Sequence, residues 1–316
     1  MSAVDATAAA AAVTPVALDK PVRRRPKLAD TWWRHVVGVL ACLFALFPVW
    51  FVASAAFNRD QSVSGTSYVP LHATLHNFGG LLHNQVRDTG SGSFVDAPFL
   101  RWLLNSVFVG LVAAFFTVLI GALAAYAFSR FRFKGRRFGM LALLLIQMFP
   151  GLLLVVALYL IVLNVGTIFP FAGINTFVAL VLVYLGGAMG VNTWLLKGFF
   201  DTIPKELDES ARVDGATATQ IFWGVVLPLA LPVLAVIALL SFIGTFNEFV
   251  LASAIMQTTH HFTMPVGIRG FIDQQYGSRW GYFAAGSLMA AVPAVALFMW
   301  LQKYIVSGLT QGAVKG

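Results

Sequence analysis

The residues with chemistry to offer are few and unevenly placed. The densest group is Glu209-Ser210-Ala211-Arg212-Val213-Asp214-Gly215, with Leu227-Pro228 about a dozen residues on. Glu209 and Arg212 sit three apart, the spacing at which opposite charges meet on one face of a short helix. Thr202-Ile203-Pro204 just ahead reads as a helix start, with proline early in the first turn. Gly215 allows a sharp turn or the close approach of a partner. Two readings are open: a plain connecting loop, or a docking element for another protein. Neither involves bond-breaking. The chain has no Gly-x-x-x-x-Gly-Lys-Ser/Thr, no His-Glu-x-x-His and no Gly-x-Ser-x-Gly, so no catalytic residue, resident cofactor or ATP site of the phosphate-loop kind is expected.

Two further polar groups interrupt long apolar runs. Gln147-Met148-Phe149-Pro150-Gly151 puts an amide beside a proline–glycine pair able to break a helix. Such a break is either a packing irregularity or part of a pathway, so Gln147 and Pro150 are candidate pathway residues. Asn247-Glu248 places a carboxylate at the far end of another apolar run. A charge there costs several kcal/mol unless it faces a cavity, a polar partner or the headgroup region, so both residues are candidates for a gating or pathway role. The histidines do not suggest a metal site. His72, His76 and His83 lack nearby cysteines or tightly spaced carboxylates, and His260 and His261 are adjacent, pointing opposite ways on an extended segment. The single Cys42 has no disulfide partner within the chain.

The elements that must position these groups are membrane helices. Of 316 residues, 59% are hydrophobic and 11% charged, and the mean hydropathy is +0.80; soluble domains carry roughly a quarter charged residues. Apolar runs of bilayer length and the absence of alternating strand patterns predict an all-α integral membrane protein with six transmembrane helices. Residues 1–35 form a tail ending in basic residues, and residues 36–57 the first crossing. The latter run is too long for a signal-peptide core and lacks a cleavage site after it. Residues 58–99 are a polar external loop, and 100–306 hold five more crossings. The second of the six spans about 102–128 and stops at the basic segment Ser129–Arg137. Residues 138–196 contain no charge and fit two crossings joined near Asn164–Asn175. The polar block occupies 201–228, the fifth crossing about 231–256 and the last about 282–301, leaving a tail at 307–316. With both ends inside, the internal segments carry sixteen Lys and Arg and the external ones five. That asymmetry follows the positive-inside rule and accounts for the formal charge of +8 without nucleic acid.

The pattern Glu209-x-Ala211-x-x-x-Gly215 with Leu227-Pro228 resembles the EAA loop of binding-protein-dependent ABC importer permeases. Ser210 stands where the family's middle alanine is usual. Ala124–Arg130, Gln147–Pro150, Val183–Gly187, Leu196–Phe199, Asp214–Ala216 and Gly308–Gly316 are similar to stretches of maltose/maltodextrin permeases of the MalG type. The resemblance implies the type I ABC importer permease fold in a bacterial inner membrane, with both termini cytoplasmic. It further implies a MalF-like second permease, a homodimeric cytoplasmic ATPase carrying ATP and Mg2+, and an extracytoplasmic sugar-binding protein. Glu209, Ser210, Ala211, Asp214, Gly215, Leu227 and Pro228 would then couple to the ATPase. The segment with Phe271, Asp273, Tyr276 and Trp280 would dock the binding protein. The tail with Gly308, Thr310, Gln311 and Lys315 would reach the ATPase. Maltose or maltodextrin is the implied cargo, with trehalose, another oligosaccharide or glycerol phosphate as alternatives. A gradient-driven carrier and a membrane scaffold are the rival classes.

Overall fold

The computed structural model describes residues 28–58, 73–87, 94–272 and 279–313. The protein is built of helices: α1 Leu28–Phe57, α2 His76–Leu82, α3 Phe99–Arg130, α4 Arg136–Gln147, α5 Gly151–Ile168, α6 Phe177–Thr202, α7 Lys205–Val213, α8 Ala218–Ile221, α9 Leu227–Leu229, α10 Leu231–Phe246, α11 Val250–Ile255, α12 Met264–Arg269 and α13 Trp280–Ala313. Strands β1 Val86–Arg87 and β2 Phe94–Val95 pair antiparallel in a short ribbon. Among the described residues, α1, α3, α5 and α13 are long and apolar enough to cross a membrane unbroken, and two sharply bent helix pairs bring the number to six. The all-α, six-crossing reading is therefore borne out.

The chain divides into a unit ending at Pro48 and a second from Val49 onward. In the first, the α1 side chains from Trp32 to Phe47 are exposed and mostly apolar, a surface suited to lipid. In the second, α3 is the central post. Its buried stripe runs through Trp102, Ser106, Val109, Gly110, Ala113, Thr117, Gly121 and Ala125, a helical spacing rich in small residues. Small residues let neighbouring helices come close. A methyl group at Gly110 would lie 2.9 Å from the Phe242 ring of α10, and one at Gly121 3.5 Å from Leu196 of α6.

The third crossing is broken, as the Pro150-Gly151 pair allowed: Pro150, in an extended conformation and without an N–H, caps α5. The fifth is also broken, at Asn247–Phe249, giving α10 and a separate α11. The segment after it contains α12 and is bound to the N-terminal end of α3. Trp102 Nε1–H donates to the Thr259 carbonyl at 2.7 Å, and Asn105 Nδ2 donates to the carbonyls of His260 and Phe262 at 3.0 Å each. Within 58–99, α2 is held by Asn77, whose Nδ2 donates to the Ala56 and Asn58 carbonyls at 2.9 and 2.7 Å.

The C-terminal ends of α3 and α6 are held together by polar contacts. Ser129 Oγ donates to Asp201 Oδ1 at 2.7 Å, Lys197 pairs with the other Asp201 oxygen one turn away, and Arg130 Nη2 donates to the Ile203 carbonyl at 3.0 Å. Arg130 Nε lies 2.7 Å from Asp208 Oδ2 on α7, both side chains almost wholly buried. Removing one partner of such a pair strands the other charge and costs about 3–5 kcal/mol, whereas replacing both by apolar residues is near neutral. Asp208→Ala is therefore expected to lower the thermal unfolding midpoint in detergent strongly. Arg130→Met combined with Asp208→Leu should recover most of that loss, and an additive double variant would show that the pair is not coupled.

Candidate functional site

Two places bring the candidate residues together. The first is the polar block after α6. Here α7 ends in a two-bond turn: Gly215 N–H donates to the Arg212 carbonyl at 3.0 Å and Ala216 N–H to the Ala211 carbonyl at 2.9 Å. That pairing closes a helix through a left-handed residue, and Gly215 adopts φ +85°. Thr217 then starts α8 with a reciprocal cap that the sequence reading did not pick out. Its Oγ1 accepts from Gln220 N–H at 3.3 Å while its own N–H donates to Gln220 Oε1 at 2.8 Å. Thr-x-x-Gln was the available signal. Residues Phe222–Val226 widen into a π-turn ahead of Pro228, and the chain bends by 78° between α9 and α10. Pro232 at the start of α10 cannot donate a hydrogen bond back across that bend.

The expected Glu209–Arg212 pair is not formed. Among the described residues the ion pairs are Arg130–Asp208 and Lys197–Asp201. Asp208 and Ala211 face inward, while Glu209, Ser210, Arg212, Asp214 and Gly215 are exposed. The strongest anchor is thus Asp208, one residue outside the recognised motif. Leu207 and Val213 are also exposed, Val213 at 88%. The block therefore roots a buried carboxylate in α3 and presents a mixed charged and apolar outer face. Leu227 is half-buried against the core beside α3 and α6, and Pro228 is exposed.

The second place is a cavity of about 350 Å³ lined by Gln147, Tyr184, Gly187, Val191, Asn192, Leu240, Ser241, Gly244, Thr245 and Glu248. It lies where three helices break or bend: α4 gives way to α5, α6 bends by 51° between Gly187 and Met189, and α10 gives way to α11. Gln147 Nε2 donates to the Gly187 carbonyl at 2.7 Å. Gly190 makes room for that side chain, since a methyl group there would fall 2.7 Å from Gln147 Nε2. Glu248 accepts three hydrogen bonds: from Tyr184 Oη at 2.8 Å, Leu251 N–H at 2.8 Å and Ala252 N–H at 3.0 Å. It thereby satisfies the free N–H groups at the start of α11. Tyr184, Asn192 and Ser241 were not singled out from sequence, where nothing distinguishes them from ordinary residues of an apolar run.

The other candidates lie elsewhere. Asn247 lines a different cavity, beside Met264, Ile268 and Ser287, and Pro150 is exposed at the helix break. Phe271, expected at a docking surface, is 1% exposed and packs near Trp102 and Tyr282, because Arg279 N–H donates to its carbonyl at 2.7 Å and holds it against the core. Trp280 is half-buried, edge-on to Phe283. Asp273, Tyr276 and Lys315 fall outside the described residues. Gly308, Thr310 and Gln311 continue α13, which extends to Ala313.

Tyr184→Phe removes one donor from Glu248 but leaves the two backbone donors in place. A hydrogen bond to a charged group is worth about 1.5–3 kcal/mol. The variant should unfold at a lower temperature than the parent in the same detergent, and an unchanged midpoint would count against the contact.

Comparison with known proteins follows this geometry. Residues 117–311 match the family described as binding-protein-dependent transport system inner membrane component. The galactooligosaccharides transport system permease protein GanQ of Bacillus subtilis (strain 168) is 36% identical, over 94% of this chain and 99% of its own. The maltose/maltodextrin transport system permease protein MalG of Escherichia coli (strain K12) is 35% identical, over 95% and 100%. A chain of a bacterial ABC transporter involved in the import of the acidic polysaccharide alginate superposes with a TM-score of 0.69 at 24% identity, covering 89% of this chain and 99% of that one. This last likeness establishes the shared fold. This chain belongs to the binding-protein-dependent transport system inner membrane component family, as a multi-pass membrane permease subunit.

Proposed function

We propose that this chain is one permease subunit of an ATP-driven, binding-protein-dependent importer of maltose or maltodextrins. It pairs with a MalF-like second permease over a homodimeric cytoplasmic ATPase that carries ATP and Mg2+. A sugar-loaded binding protein docks on the outer side, and both termini lie in the cytoplasm. The observation that carries this reading is the α7 block. Its outer face, with Glu209, Ser210, Asp214 and exposed Leu207 and Val213, is free to enter a groove on a partner. Its inner face is tied through Asp208 to Arg130 at the end of α3. A displacement of the ATPase groove would therefore move α7 and, through the buried pair, the central helix. Rocking of α3 against α6 and α10 then opens the membrane path to one side or the other. The helical extension through Gly308, Thr310 and Gln311 reaches toward the same ATPase.

The similarity to GanQ favours a second cargo, galactooligosaccharides, carried by the same machine. The two are separated by purifying the tagged chain in mild detergent and reconstituting what accompanies it. A second permease and an ATPase should co-purify. Maltodextrin-loaded binding protein should stimulate ATP hydrolysis severalfold, whereas stimulation only by the galactooligosaccharide-loaded protein would reassign the cargo. If the chain purifies alone, the permease-and-ATPase reading is wrong.

The coupling role has its own test. Nothing lies within 4 Å of a methyl group placed on Gly215, so only the backbone conformation resists a side chain there. Holding a β-branched residue at φ +85° costs about 1–2 kcal/mol. Gly215→Val should leave membrane insertion intact and reduce ATPase co-purification around tenfold, the equivalent of about 1.4 kcal/mol. Equal ATPase recovery with full transport would refute the assignment of this turn.

A further inference from the structure

The cavity between Gln147 and Glu248 has a chemical character that goes beyond its place on a pathway. Its polar lining is an amide from Gln147, an amide from Asn192, hydroxyls from Tyr184, Ser241 and Thr245, and the Glu248 carboxylate. Among the described residues, no Lys, Arg or His lines it. Its volume of about 350 Å³ falls within the range of small-ligand pockets, roughly 300–1,000 Å³.

The hydrogen-bonding capacity is only partly used. Gln147 spends one amide hydrogen on the Gly187 carbonyl, and a primary amide offers two donors and two acceptor sites. Asn192 Nδ2 and Ser241 Oγ are 3.4 Å apart, at the outer limit of a hydrogen bond, so a solute hydroxyl could replace that contact with two shorter ones. Sugar hydroxyls both donate and accept, which suits amides and hydroxyls alike. They can also donate to a carboxylate. The ionised group of an anionic solute cannot donate, and it would meet the Glu248 charge in a low-dielectric surrounding with no cation among the described lining residues.

We propose that this chain itself provides a subsite for neutral polyhydroxylated solutes, formed by Gln147, Asn192 and Ser241, and that Glu248 makes the same cavity reject uronates and phosphorylated sugars. The proposal rests on the permease reading and adds a substrate class to it. It also bears on cargo, because glycerol phosphate, an alternative left open by the sequence, carries the excluded charge.

The test uses the fact that Cys42 is the chain's one cysteine. In the assembled complex, Ser241→Cys is introduced on a Cys42→Ser background. Its labelling rates are measured with a cationic and an anionic methanethiosulfonate, each normalised to a free thiol. The cationic reagent should react at least tenfold faster, and adding Glu248→Gln should bring the ratio near one. Millimolar maltotriose should slow labelling severalfold, and trigalacturonate should not. A ratio near one with Glu248 intact would overturn charge exclusion, and equal protection by both saccharides, or by neither, would overturn the subsite. If Glu248→Gln fails to assemble, the comparison of maltotriose with trigalacturonate in the Glu248-containing complex still decides. ATP-driven uptake by the Cys42→Ser complex is measured alongside. Its absence for every sugar would defeat the permease reading, while the labelling ratio would still report on the cavity.

Discussion

In hydrocarbon, a backbone N–H or C=O that leaves its helix has no water to bond, so each interruption of a membrane helix needs a partner supplied by the protein. This constraint shapes the centre of the molecule. The helices break or bend at Met148–Pro150, near Gly187 and at Asn247–Phe249, and polar side chains stand at those places. Gln147 binds the Gly187 carbonyl, and Glu248 takes the N–H groups of Leu251 and Ala252. The same side chains that satisfy the breaks line the cavity. Irregular backbone and a polar cavity are thus two aspects of one arrangement.

The α7 block obeys a related logic at the membrane edge. A short helix of nine residues has little stability of its own. It is held by one buried carboxylate on one side and by a glycine turn at its end. A buried ion pair contributes little net stability compared with apolar packing, but it is costly to break and specific in geometry. That combination fixes where α7 joins α3 more than it adds stability. The contacts of Ser129, Lys197 and Asp201 keep the helix ends on either side of this joint together.

Much of this protein was legible from its residues because bilayer physics is demanding. Charge-free runs of bilayer length, a basic bias between them and a proline–glycine pair inside one of them leave few alternatives to a bundle of crossings. Gly215 was legible for the same reason, since a glycine ending an amphipathic stretch has few other uses. The break after Phe246 was not legible: Asn247-Glu248 reads equally as the end of a crossing until Tyr184 and the α11 N–H groups are seen to converge on the carboxylate. Nothing local shows that Phe271, placed in a docking segment by resemblance, folds back onto Trp102 and Tyr282.

The amino-acid sequence by itself determined the membrane-embedded helical class, the number of crossings and the position of the glycine turn after α7. These follow from length, apolarity and local backbone preference, all properties of contiguous residues. Only the tertiary structure decided that Arg130 pairs with Asp208 while Glu209 stays outside, and that Gln147 and Glu248, a hundred residues apart, share one cavity while Asn247 lines another. Helical phase and the bends of α6 and α10 set those meetings, and both depend on how whole helices pack against α3, where Gly110 and Gly121 set how close they come.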